Sequence, residues 1–185
     1  KDGKIKIGIG RAGNVIGGGD WSEKRIIPDA MRSWSDNRPL ILKNPFSTRP
    51  WQHVLEPLGG YLRLAYMLKT ENKLHGEAFN FGPTSSENFT VLEVITEMSK
   101  EWDNVEWELN KSKKEFSESG LLKLNCDKAL HYLNWKPILE FSKTIKFTSD
   151  WYKEFYNGSE ILKITEMQIS EYNEIFMKKY NYEKS

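Results

Sequence analysis

The sequence has one cysteine, three histidines and almost no excess of charge, and each shortage removes a class of protein. Cys126 alone closes no internal disulfide and builds no cysteine cluster for a metal, so the expected compartment is a reducing, cytoplasmic one. His53, His75 and His131 are scattered, with no second ligand at i+4, and read as ordinary core or surface histidines. The 27 basic and 26 acidic residues leave a net charge of +1, too little to draw nucleic acid or an anionic membrane by long-range field. No apolar run reaches the ~18 residues that a membrane span needs, and no signal peptide precedes the first strand-like segment, so a soluble chain is expected. The 185 residues suffice for one domain with a substantial core. The chain starts on Lys1 and not on Met, as expected of a piece of a longer protein.

Among what is present, residues 8 to 13 read Gly-Ile-Gly-Arg-Ala-Gly, the glycine spacing of a dinucleotide-binding loop, after the alternating stretch Lys4-Ile5-Lys6-Ile7. That loop works only if a helix starts on its third glycine and aims backbone amides at a pyrophosphate. Here Asn14-Val15-Ile16-Gly17-Gly18-Gly19-Asp20 follows, and glycine costs about 1 kcal/mol per residue inside a helix, so no helix is expected at Gly13. The spacing predicts a strand somewhere from Ile5 to about Ile16, entering a loop whose glycines permit positive φ or close approach to a ligand.

Strand and helix patterns alternate along the chain, with more helix than strand, which makes the fold class α/β or α+β. Ile26, Ile27, Ala30, Met31 and Trp34 fall at helical spacing, Pro28 being tolerable in the first turn, and that helix ends near Asp36-Asn37. Leu40 to Leu42 reads as a strand, Thr48 to Val54 as extended, and Ala78 to Phe81 as a strand ended by Gly82-Pro83. From Glu56 a helix is expected to bury Leu58, Leu62, Ala65 and Leu68. Thr90-Val91-Leu92-Glu93 is a capping box opening a helix with Val91, Ile95, Met98 and Trp102 on one side. Further on, the pattern predicts a strand over 121–125 and a helix over 127–133 with Asn134 as its left-handed cap. It then predicts a helix carrying Phe141, Ile145, Tyr152 and Phe155, and a last helix opened by a second box at Thr165. Cys126 reads as a small buried residue.

Three donors stand at loop positions: Asn14 beside the glycines, Arg25 at the head of the first helix, and Arg49 between Thr48 and Pro50. An arginine held between strand-like segments suits a guanidinium fork for a phosphate or carboxylate, and it suits a surface ion pair equally.

The blocks Arg11 to Trp21, Arg25-Ile26-Ile27-Pro28-Asp29 and Arg49-Pro50-Trp51-Gln52-His53-Val54-Leu55-Glu56-Pro57-Leu58 resemble the CDP-glucose 4,6-dehydratase family of the extended short-chain dehydrogenase/reductases. Asn80-Phe81-Gly82-Pro83, Leu122-Lys123-Leu124, Trp135-Lys136-Pro137 and Ile164-Thr165-Glu166 look like later motifs of the same family. The resemblance covers essentially the whole chain, as a C-terminal half. It implies a C-terminal substrate-binding lobe joined to the last strands of a Rossmann-type sheet. Segments 4–10 and 78–81 and helix 56–69 would complete an NAD-binding domain that lies upstream.

The family reaction oxidises a glucose C4 hydroxyl with NAD, eliminates water across C5 and C6, and returns the hydride to C6; the C4 ketone acidifies the C5 proton and so makes the elimination feasible. The resemblance implies a nucleotide sugar, CDP-glucose, as substrate, NAD as cofactor, and a parent that is a homodimer or homotetramer. The family's catalytic Tyr-x-x-x-Lys pair lies upstream, and Tyr66-Met67-Leu68-Lys69 is one residue too short, so no residue here is assigned a catalytic role. Carried over residue by residue, Asn14 contacts the diphosphate sugar, Arg25 and Ile26 lie over the nucleotide, and Arg49 clamps the diphosphate. Ile41, Leu42, Lys43 and Asn80 line the nucleotide side, and Glu118 is an acid near the ribose or base, although the neighbouring residues depart from the family pattern. Another nucleotide-sugar epimerase or dehydratase, or a stand-alone binding module, stays open beside this reading.

Overall fold

A computed structural model describes residues 5–85, 87–103, 105–109 and 123–181. Four strand pairs are woven through a larger set of helices. The parallel pair β1 (Ile9–Ala12) and β6 (Ala78–Phe81) runs in register from Ile9 opposite Ala78 to Ala12 opposite Phe81. The parallel pair β2 (Val15–Ile16) and β5 (Gln52–His53) follows. Parallel β3 (Leu40–Leu42) and β8 (Trp107–Leu109), and antiparallel β4 (Thr48–Arg49) and β7 (Phe89–Thr90), complete the set. The helices are α1 (Ile26–Ser35), α2 (Leu55–Thr70), α3 (Val91–Ser99), α4 (Asp127–Leu133), α5 (Phe141–Tyr156) and α6 (Ile161–Asn181). The fold is thus α/β with more helix than strand.

Local signals explain most boundaries. The Thr90–Glu93 box forms in full: the Thr90 hydroxyl accepts from Glu93 N–H, and the Glu93 carboxylate accepts from Thr90 N–H at 2.7 Å. Asn134 closes α4 at φ 48°. No helix starts at Gly13; β2 follows almost at once.

Several expectations are corrected. The first strand begins at Ile9, not between 4 and 5, because its partner β6 begins only at Ala78. Before that point Gly76 turns the chain at φ +82° while its N–H still reaches the Ile7 carbonyl. Lys4 lies outside the described residues, as do residues 121 and 122 of the expected strand over 121–125, whose remaining residues form no strand. The last helix starts at Ile161, so the Thr165 box sits inside it, and the Thr165 hydroxyl bonds back to the Ile161 carbonyl. Cys126 is only half-buried.

The largest correction concerns α2. Leu58 and Leu62, expected inside, are 46% and 74% exposed, and the inward face is Pro57, Gly60 and Leu64. Steric fit decides this: a Cβ on Gly60 would stand 2.3 Å from the Phe81 ring, and one on Gly8 2.9 Å from Leu68. The helix packs through its smallest residues, which a search for large apolar side chains reads as a gap.

Three apolar clusters result. Ile27, Met31, Trp34, Leu42, Val94, Ile95 and Tyr152 join α1, β3, α3 and α5. Leu64, Phe79, Phe81, Leu133 and Trp135 join α2, β6 and α4. Ile138, Leu139, Phe147 and Tyr172 seat α6. Among the described residues no helix is long and apolar enough to cross a membrane.

Two buried ionisable groups sit at the junction of β5 and α2. Glu56, 1% exposed, accepts backbone N–H bonds from Ile138 at 2.8 Å and Leu139 at 2.6 Å and a bond from the Tyr172 hydroxyl at 3.1 Å. Burial raises its carboxyl above the ordinary range, and those donors pull back. His53, 2% exposed and edge-on to Phe147, is lowered by burial to about 4. Removing the Glu56 carboxylate strands three buried donors; Glu56→Ala is expected to cost about 3 to 5 kcal/mol in urea unfolding, and Glu56→Gln, which keeps an acceptor, clearly less. Between the ordinary value of 6.5 and about 4 the unfolded chain takes up a proton on His53 that the folded chain refuses, so stability falls as pH drops through that window. Relative to His53→Leu, wild type should lose about 3 kcal/mol across it, read from unfolding free energies at pH 7 and pH 4; parallel profiles would refute the assignment.

Candidate functional site

β2, the start of α1, β3 and the end of β4 line a cleft of about 620 Å³. Asn14 stands just before β2, its carbonyl held by Gln52 N–H at 3.1 Å. Arg25 is the N-cap of α1, in extended conformation and with no side-chain cap, so the helix presents Ile26 and Ile27 bare-ended to the cleft. Pro28 has no N–H, and the first helical bond is Asp29 N–H to the Arg25 carbonyl at 3.0 Å. Such a terminus carries partial positive charge and favours an anion.

Lys24, Arg25, Lys43 and Arg49 line the cleft against two carboxylates, Asp20 and Asp29. Both carboxylates are engaged: Asp20 with Arg25 at 3.1 Å, and Asp29 with Arg32 at 2.6 Å. Although burial opposes it, hydrogen bonds from Ser22 and Arg25 hold Asp20 below its usual range. Arg49 is braced by its own bond to the Thr48 carbonyl at 2.8 Å, next to Pro50 and within the β4–β7 pair. Apolar surface comes from Ile41, Leu40, Trp51 and Val91, with the Trp51 indole fixed to the Phe89 carbonyl at 2.9 Å. The chemistry is that of a binding cleft for a polyanion with an apolar or aromatic part.

Of the residues singled out from sequence, Asn14, Arg25, Ile26, Ile41, Lys43 and Arg49 line this one cleft. Leu42 does not: it is fully buried in the core cluster. Asn80 lies on β6 away from the cleft wall, its amide donated to the Asn125 carbonyl at 2.9 Å. Glu118 lies outside the described residues. Asp20, Lys24 and Tyr152 were missed; Lys24 had the signal of its neighbour Arg25, whereas Tyr152 arrives from α5 with no local cue.

In the Gly-Ile-Gly-Arg-Ala-Gly segment no helix starts on the third glycine, and protein side chains pack against its glycines. The space beside Gly10 is taken by Tyr61, 2.6 Å from where a Cβ would sit, and that beside Gly13 by Pro50 and Leu124. These glycines let a helix and a proline approach the strand.

No protein-family model matches the chain. Solved structures share its architecture, two of them as follows. UDP-glucuronic acid 4-epimerase from Bacillus cereus, solved with UDP-glucuronic acid and NAD, superposes with a TM-score of 0.66 at 20% identity, over 82% of this chain and 46% of that one. dTDP-glucose 4,6-dehydratase from Bacillus anthracis, solved with NAD, gives 0.58 at 18% identity, over 80% and 44%. The chain shares the α/β fold of these epimerase and dehydratase structures over about half of their length. Within that class it is similar to CDP-glucose 4,6-dehydratase of Salmonella typhimurium, with 42% identity over 163 residues, 88% of this chain and 45% of that protein. The chain spans about half the length of the curated relatives it matches.

Proposed function

We propose that this chain is the substrate-holding portion of an NAD-dependent CDP-glucose 4,6-dehydratase, a lyase that forms a 4-keto-6-deoxy nucleotide sugar. The observation that carries the proposal is the convergence of Arg25, Lys43, Arg49 and the uncapped start of α1 on one cleft beside Asn14. A diphosphate asks for a bidentate fork and helix amides, and an arginine and a helix start both line the cleft. Ile41, Leu40 and Trp51 offer the apolar surface for the nucleoside. The 42% identity to the Salmonella typhimurium dehydratase supports the base and the sugar.

NAD belongs, in this reading, to the remainder of the parent, since the glycine segment here is filled by protein side chains. The β1–β6 pair and α2 would join that remainder. Ile5, Ile7 and Ile9, exposed at 82%, 57% and 50%, and the outward Leu58 and Leu62 would be covered there by further sheet and helix. The chain by itself would then bind and orient the substrate without turning it over.

Calorimetric titration tests this. CDP is expected to bind this chain more tightly than UDP or GDP, and Arg49→Ala to weaken CDP by tenfold or more, as the loss of charge-assisted bonds of about 1.5 to 3 kcal/mol requires. Equal affinity for all three nucleotides would favour a different nucleotide-sugar epimerase or dehydratase, and an unchanged Arg49→Ala affinity would reject the clamp.

A further inference from the structure

The segment between β2 and α1, residues 17–25, supplies Gly17, Asp20, Lys24 and Arg25 to the cleft without belonging to any sheet or helix. Three successive glycines and a lysine at φ 62° give it a wide choice of conformations. Something other than a backbone ladder must hold it. The indole of Trp21 sits among four rings from the last turns of α5: Phe155 at 4.8 Å, Tyr152 edge-on at 5.2 Å, Tyr156 edge-on at 6.2 Å and Trp151 at 6.4 Å. Beside it, the Tyr152 hydroxyl donates to the Asp20 carbonyl at 2.5 Å, and Arg32 donates to the carbonyls of Trp21 at 3.1 Å and Ser22 at 3.3 Å. On the other side Gly18 lies flat on Trp151, where a Cβ would come within 2.0 Å of the ring. Trp21 is itself absent from the cleft wall.

We infer that Trp21 is the positioning residue of the cleft: by docking into the aromatic cage at the end of α5, it sets Asp20, Lys24 and Arg25 where a diphosphate meets them. Asp20 is the intermediary, because its neighbour Trp21 anchors its backbone and its carboxylate orients the Arg25 guanidinium at 3.1 Å. Tyr152 bridges the two, one face in the cage and its hydroxyl on the cleft-wall residue. The affinity of the site is thereby governed by a helix more than a hundred residues away in sequence. Trp21 is 39% exposed, so truncating it opens the cage from the solvent side and leaves the buried cluster of α1, α3 and α5 in place.

This inference rests on reading the cleft as a diphosphate site, and the test separates the two. CDP is titrated calorimetrically into wild type, Trp21→Ala, Trp21→Phe and Phe155→Ala, and native-state hydrogen exchange is followed without ligand. Trp21→Ala is expected to weaken CDP by about tenfold, Phe155→Ala in the same direction by less, and Trp21→Phe to stay close to wild type. Without ligand, the hydrogen-bonded amides that the segment carries or anchors, Ser22 (to the Asp20 carboxylate) and Asp29 (to the Arg25 carbonyl), should exchange at least about tenfold faster in Trp21→Ala, with those of α3 and β6 unchanged. If Ser22 and Asp29 keep their protection in both alanine variants, or if CDP binds them as it binds wild type, the inference is overturned. Acceleration spread evenly over the chain overturns it too, since Trp21 would then serve stability alone. Should wild type fail to bind CDP while Ser22 and Asp29 still respond, the diphosphate reading falls and the hold of Trp21 on the segment stands.

Discussion

A buried carboxylate organises this chain. Glu56 opens α2, and its two oxygens take the N–H groups of Ile138 and Leu139 and the hydroxyl of Tyr172. One side chain thus ties the central helix to the turn before α5 and to α6, segments that share no strand pairing with it. The Lys179 ammonium donates to the Ile138 carbonyl at 2.6 Å and adds a positive charge near the pair. A buried ion of this kind gives little net stability against an apolar substitute, yet it tolerates only one arrangement of its donors. Because α5 carries the aromatic cage, that single arrangement extends to the cleft.

From there the architecture reads outward in two directions. Toward α1 and β3 the core is dense, and the polar cleft is carved into its edge by glycines and by an uncapped helix start. Toward β1, β6 and α2 the packing is through glycine against aromatic rings, and the outer faces are apolar and exposed. The same β5–α2 corner thus stands between the side that bears the polar cleft and the side that leaves Ile9, Leu58 and Leu62 exposed.

Local chemistry was legible wherever it was decided within a few residues. The capping box at Thr90, the left-handed Asn134, the periodicity of α1 and the rejection of a helix at Gly13 all depend on near neighbours, and all appear as read. Six of the nine residues singled out for the site meet in one cleft, and four of them, Asn14, Arg25, Lys43 and Arg49, lie at loop positions or a strand end whose character is local. Leu42 and Asn80 stand outside that cleft, and the face of α2 differs from its reading, because their orientation is set by tertiary fit: the core around β3, the Asn125 carbonyl, and the ring of Phe81 against Gly60. Tyr152 and the cage around Trp21 were invisible because aromatic residues at helical spacing look alike whether they fill a core or brace a loop.

The parallel pairing carries a kinetic consequence. β1 finds its partner only at β6, and β3 only at β8, so every parallel ladder of the chain except the short β2–β5 pair joins segments separated by more than sixty residues. Contacts so distant form late, since the intervening chain must first surrender its freedom. During synthesis at about 5 to 20 residues per second, β1 would wait several seconds for β6 to emerge. Over that interval Ile9 to Ala12 stand without their ladder partner, with their backbone N–H and C=O groups open to solvent or to a neighbouring chain.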